Sequence, residues 1–308
     1  MIVDRTKHPV RLPLVAMQRA QKRIIEEAKS LTESARKLVR EVIVQSDYWH
    51  IYYDRDVVVK SDRRREEHHI RSTDVDIHID VYPHPDPQAP VVIFNHGAAG
   101  YCRHFVHLAF LFGERGYTVV LPDQRGQGLS GGRRGDYTIS ESVQNIVDVA
   151  KWVQRRFQGP IFMGGGSMGG GLTYYAAAAG APVQAIACLN LFDYGNGVDS
   201  LQISRLAFLA RFAFIVQAFK VGMALLRPLY AVRIPFNWVG AFDKLMDERD
   251  SEYQAQWDAD PVPPRRVSLR SLASSMTTQP AVPFESNQVP VVVINQTLDQ
   301  MVVESVTR

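Results

Sequence analysis

Apolar residues first recur at helical spacing between Leu14 and Val44. Leu14, Met17, Ile24, Ala28, Leu31, Ala35, Leu38 and Val42 follow one another in alternating steps of three and four, and only Gln21 breaks the stripe. Pro13 suits the first turn of such a helix. The stripe fits docking on the protein's own body, or a seam joining two chains, where small Ala28 and Ala35 let another helix approach. A polar, charge-dense connector from Lys60 to His69 follows. Strict alternation over Asp74–Tyr82 (DVDIHIDVY) then predicts a strand with one face buried.

After the turn-rich PHPDPQAP the texture changes. Short continuous apolar runs at Val91–Asn95, Tyr117–Pro122, Pro160–Gly164 and Ala185–Leu191 predict strands covered on both faces. Helical patterns lie between them at Phe105–Arg115, Ser140–Phe157 and Met168–Ala179. This alternation implies βαβ crossovers and an α/β fold, a mainly parallel doubly wound sheet with helices on both faces. It breaks off from about Tyr194 to Asn287 and resumes with a buried strand at Val289–Asn295. The organisation expected is a helical N-terminal extension over residues 1–65 and a core over 66–308, with a cap inserted at about 198–287.

Composition narrows the class. The chain has 308 residues and a net charge of +3, too near neutral for a dedicated nucleic-acid binder. Residues 1–75 hold 16 basic and 12 acidic side chains against 19 and 20 in the remainder, so the basic excess belongs to the N-terminal extension. Cys102 and Cys188 make neither a disulfide framework nor a zinc pattern. The N-terminus carries Asp4, Arg5, Lys7 and Arg11 and no apolar core of a secretory signal. The longest apolar stretch, Leu206 to Leu226, contains Arg211 and Lys220, unlike a membrane span. A cytoplasmic protein is expected, with no metal or organic cofactor.

The sharpest chemical signal is Gly165-Gly166-Ser167-Met168-Gly169, set between a predicted strand and a predicted helix. A serine on that tight turn is pushed out over the sheet's C-terminal edge, and glycines beside it avoid collision with strand and helix. His96-Gly97-Ala98 directly follows another strand. Acyl transfer creates a negative oxygen that needs preorganised N–H donors, and Ala98 and Met168 are the candidates. His96 is expected to hold that loop in place rather than to serve as a base.

These features, with Asp123-Gln124-Arg125-Gly126-Gln127-Gly128-Leu129-Ser130 after the next strand, resemble the α/β-hydrolase superfamily. More narrowly they resemble its monoacylglycerol lipase, lysophospholipase and serine aminopeptidase-like branch, from about Asp74 onward. Arg249-Asp250, Tyr253 and Asp260-Pro261 are similar to the end of that branch's cap. Gly166 departs from it, since the branch usually has histidine there. The resemblance implies that Asp123 and Arg125 are structural and that Ser167 is the nucleophile. It places the triad acid at Asp299, with Asp193 as the alternative. The base would follow the acid, yet the last histidine of this sequence is His107. A catalytic histidine is therefore expected beyond Arg308, the sequence being a fragment; the alternative is a protein without the base that binds a partner.

The apolar insertion, with Arg205, Arg211, Lys220 and Arg227 scattered along it, fits a cap packed on the body, a greasy lid over an acyl tunnel, or both. The substrate expected is a small apolar ester or lipid-like molecule, with amide cleavage as an alternative. Peripheral membrane contact through the cap and a homodimer through Leu14–Val44 are the candidate partners, and no nucleic acid is expected.

Overall fold

The structure is a computed structural model, and it describes residues 48–296 apart from 203, 205–206 and 240–250. The Leu14–Val44 stripe, Arg249-Asp250 and Asp299 lie outside the described residues. In chain order the first elements are α1 (Arg55–Arg64), β1 (Glu66–Ser72), β2 (Val75–Tyr82), β3 (Val91–Asn95), α2 (Val106–Gly113) and β4 (Thr118–Pro122). They are followed by α3 (Ile139–Arg156), β5 (Ile161–Gly166), α4 (Met168–Ala178) and β6 (Ala185–Leu189). Next come α5 (Val198–Gln202), α6 (Ala213–Leu225), β7 (Arg233–Pro235), α7 (Phe236–Val239), α8 (Ser251–Ala259), β8 (Arg266–Ser268) and α9 (Leu269–Thr277), and then β9 (Val291–Ile294).

Seven strands form one sheet in the order β1-β2-β4-β3-β5-β6-β9. β1, β2 and β4 pair antiparallel, and β4, β3, β5, β6 and β9 run parallel. β3 lies between β4 and β5, so the strand order reverses there. In open α/β sheets that switch opens a crevice beyond the carboxyl ends of the strands. The period of two sorts side chains to the two faces: Val120 joins the core around α3 and α4, while Val119 and Leu121 join the core containing Tyr48, Trp49 and Val106. At the start of α3, Thr138 and Glu141 satisfy each other's backbone N–H groups, which fixes where the helix begins.

Three expectations are corrected. The stretch from Lys60 to His69 is the end of α1 and the start of β1, an edge strand polar enough to face water. β2 is buried on both faces except at Asp76, because its polar side chains pair with buried charges instead of water. β9 is exposed: Val291 to Ile294 are 36–58% accessible, since among the described residues the strand is paired only with β6. Among the described residues no helix is long and apolar enough to cross a membrane.

Candidate active site

Ser167 sits between β5 and α4 with φ 54° and ψ −126°. A non-glycine residue rarely occupies that region, and it holds there only where its surroundings force it. Ser167 N–H donates to the Leu189 carbonyl at 2.9 Å, and its carbonyl accepts from Gly170 N–H at 2.8 Å. The neighbouring backbones close in too tightly for side chains. A Cβ on Gly165 would overlap the Gly169 carbonyl, and one on Gly169 would overlap the carbonyls of Asn95 and His96. The loop after β3 crosses directly over the serine, and a Cβ on Gly97 would stand 3.8 Å from Ser167 Oγ.

The Gly97 carbonyl accepts from His96 Nδ1–H at 2.8 Å and from Gly100 N–H at 3.3 Å. In a trans peptide the Ala98 N–H points away from that carbonyl. Met168 N–H belongs to the first turn of α4, where helical N–H groups have no partner within the helix. Neither amide donates to a protein acceptor among the described residues. His96 is fully buried, and its Nε2 accepts from Gln124 N–H at 3.0 Å. Burial pushes its pKa down to about 4, so it is neutral at pH 7 with both ring nitrogens engaged.

Asp123, at the end of β4, is equally committed. Its Oδ1 accepts from Cys102 N–H at 2.6 Å, and its Oδ2 from Leu129 N–H at 2.7 Å and His78 Nδ1 at 2.8 Å. Arg125 forms a bidentate pair with Asp74 at 2.5 and 3.0 Å. Asp193 places Oδ1 on Tyr175 OH at 2.8 Å and Gly195 N–H at 2.7 Å. Asp260 is buried and accepts from Tyr52 OH at 2.8 Å and Tyr101 OH at 2.6 Å, tying the end of α8 to the loop after β3.

Ser167 opens into a cavity of about 390 Å³. Ala98 and Met168 lie beside it in the wall, and Phe192, Phe219, Met223, Phe236 and Met276 supply much of the apolar lining. Its polar side chains are Tyr137, Tyr194, Trp238 and serines, with no Asp, Glu, Lys, Arg or His among the described residues. The two tyrosines also pin Met168: Tyr194 OH donates to its carbonyl at 2.8 Å, and Tyr137 OH to its Sδ at 3.2 Å.

Sequence reasoning missed a buried ion cluster under this loop. Arg103 donates to Asp80 Oδ2 at 2.8 Å and to Glu67 Oε2 at 2.7 Å, while His78 Nε2 lies 3.3 Å from Asp80 Oδ1. The signal lay in the alternation of Val75, Ile77 and Ile79 with Asp76, His78 and Asp80, but its polar side was assigned to water. His78, Asp80 and Cys102 bring metal-ligating atoms together. Here the Arg103 guanidinium takes the cation's place beside Asp80.

The sequence model of the family described as serine aminopeptidase, S33, matches residues 86–308. The chain belongs to this family of α/β hydrolases. A search of curated proteins returns no match. Among solved structures, the α/β hydrolase GrgF from Penicillium sp. sh18 aligns with TM-score 0.60 and 18% identity, covering 79% of this chain and 83% of that one. A soluble variant of monoglyceride lipase from Saccharomyces cerevisiae aligns with TM-score 0.57 and 18% identity over 79% and 80% of the two chains. The monoacylglycerol lipase of Paleococcus ferrophilus gives TM-score 0.57 and 18% identity over 75% and 82%. At such identities the likeness is one of fold.

Proposed function

We propose that this hydrolase cleaves carboxylic esters with an apolar acyl group through an acyl-enzyme on Ser167. The observation that carries this reading is a serine on a strained turn at the wall of an apolar cavity, with two unspent amides beside it. Ser167 Oγ attacks the ester carbonyl and passes its proton to a base. Ala98 and Met168 N–H groups receive the oxyanion, whose charge is strongest in the transition state. Collapse expels the alcohol, and water then releases the acid by the same steps. Asp299 is the carboxylate we assign to orient that base. Asp193 is the weaker choice for the acid because Tyr175 and Gly195 already occupy its Oδ1.

Aminopeptidase activity is the second reading, favoured by the family's description. A free α-amine entering an apolar site needs a carboxylate partner, because burying an unpaired ammonium is costly. The cavity lining offers none among the described residues. Turnover of acyl esters is therefore expected to rise with chain length and to exceed that of matched aminoacyl amides by roughly 100-fold, the effect of about 3 kcal/mol. Equal or faster cleavage of the aminoacyl amides would overturn the ester reading.

His96→Ala removes the donor that fixes the Gly97 carbonyl, and so loosens the Ala98 amide. Loss of a whole oxyanion donor costs about 10²–10³ in kcat, so a mispositioned one should cost roughly 10–100-fold with KM little changed. Steady-state kinetics on a short ester checks this. An unchanged kcat would remove His96 from any positioning role.

A further inference from the structure

Beyond the reaction itself, the outer surface of the insertion has a pattern that the cavity does not explain. Residues 200–239 contain no Asp or Glu and five Lys or Arg. Phe208, Phe214, Leu225, Leu229, Val232 and Trp238 are 46–76% exposed. So many large apolar side chains left exposed within one short stretch of chain mark an interaction site. It is continuous with the cavity, because Phe219, Leu226 and Trp238 both line the cavity and are 37–69% exposed.

Arginines from three separate stretches join this surface. Arg133 donates to the Ala231 carbonyl at 3.2 Å, and Arg233 to the Arg134 carbonyl at 2.9 Å. Arg266 stands across the β7–β8 ribbon, opposite Pro235. Ile234 and Val267, next to these arginines in the ribbon, line the cavity. Arg133, Arg233 and Arg266 form no ion pair with a carboxylate among the described residues. Burial lowers the Arg233 pKa, and the charges of Arg133 and Arg266 lower it further against the smaller opposing pull of Asp136, so the three cations lie close enough to repel one another. Unpaired arginines gathered at a cost beside exposed Phe, Leu and Trp match a surface that inserts apolar side chains and places cations on phosphates.

We propose that this face docks on a bilayer containing anionic phospholipid, with the cavity opening toward the lipid. A second copy of the chain is the poorer occupant, because a two-fold interface sets each patch against itself and brings arginine to arginine.

The test uses the full chain with vesicles of phosphatidylcholine alone and of phosphatidylcholine mixed with phosphatidylserine, read by co-sedimentation. Binding is expected on the mixed vesicles and not on the neutral ones, and added salt should weaken it. Each arginine near an anionic leaflet strengthens binding by about fivefold, so the combined Arg133→Gln, Arg233→Gln, Arg266→Gln variant should bind roughly 100-fold more weakly. Leu225→Asp should weaken binding without touching those charges. Failure to bind mixed vesicles, equal binding to neutral ones, or an unaffected arginine variant would each overturn the proposal. So would a dimer of the chain that Leu225→Asp dissociates. Ser167→Ala should bind vesicles like the wild type, and the arginine variant should keep its activity on a short soluble ester. A failure of docking is thereby distinguished from a failure of the hydrolase reading.

Discussion

Exchanging Ser167 for alanine is expected to abolish covalent labelling by a fluorophosphonate and to lower ester turnover by roughly 10⁴-fold or more. The loss should be purely chemical. Ser167 Oγ enters no hydrogen bond among the described residues, so its removal leaves no buried polar atom unpaired. Alanine meets the same backbone restriction at φ 54° as serine, and the turn is held by Ser167 N–H and C=O, which the substitution keeps. Thermal stability should therefore be nearly unchanged while activity disappears. The wild-type protein discriminates further. A binding protein that had lost its base would label slowly even with Ser167 in place, whereas a working hydrolase labels rapidly. Rapid labelling that survives the alanine exchange would show that another residue reacts and would end the case for Ser167.

The parts of the site visible in the sequence are those built by short stretches of chain. His96, Gly97 and Ala98 follow β3, Asp123 follows β4 and Ser167 follows β5, each directly after a continuous apolar run that marks a buried strand. The order of these runs carries the fold, because a parallel sheet with helical crossovers admits few arrangements. Long-range packing was not legible. The cavity wall gathers Tyr137 from before α3, Phe192 from after β6, Met223 from α6 and Met276 from α9, and no spacing rule links those positions. β2 shows the limit of periodicity. Alternation separates its two faces but does not reveal whether the polar face meets water or a buried guanidinium such as that of Arg103. β9 shows the converse, since an apolar run identifies a strand but leaves open what covers it.

Asp80→Asn should destabilise the protein by about 3–5 kcal/mol, the usual cost of breaking one side of a buried ion pair. That corresponds to a fall in Tm of roughly 10 °C for a domain of this size. Asp80 is fully buried, with Arg103 Nε at 2.8 Å, His78 Nε2 at 3.3 Å and Arg65 Nε at 3.5 Å. Three positive groups thus face three negative ones, Asp80, Asp123 and Glu67, and the exchange leaves an uncompensated buried charge while keeping the side chain's shape. Burial opposes protonation of His78, but Asp80 and Asp123 outweigh it and hold its pKa well above the ordinary value. A raised folded pKa gives stability that is complete below about pH 6.5 and is lost as pH rises through the folded value. Burial likewise opposes ionisation of Asp80, but Arg103 and His78 hold its pKa below the usual carboxylate range. That contribution is present above about pH 4 and is lost as pH falls through the folded value. Without Asp80, His78 loses much of the attraction that keeps it charged. The difference in Tm between wild type and variant should therefore shrink as pH rises above about 6.5. The consequence reaches the reacting groups through contacts already in place: His78 holds Asp123, the next residue Gln124 holds His96, and His96 holds the Gly97 carbonyl. Thermal unfolding of both proteins across this range decides the matter. A loss below about 1 kcal/mol, within the range of an exposed pair, would mean that the cluster is screened by water and is not a buried ionic support for the loop.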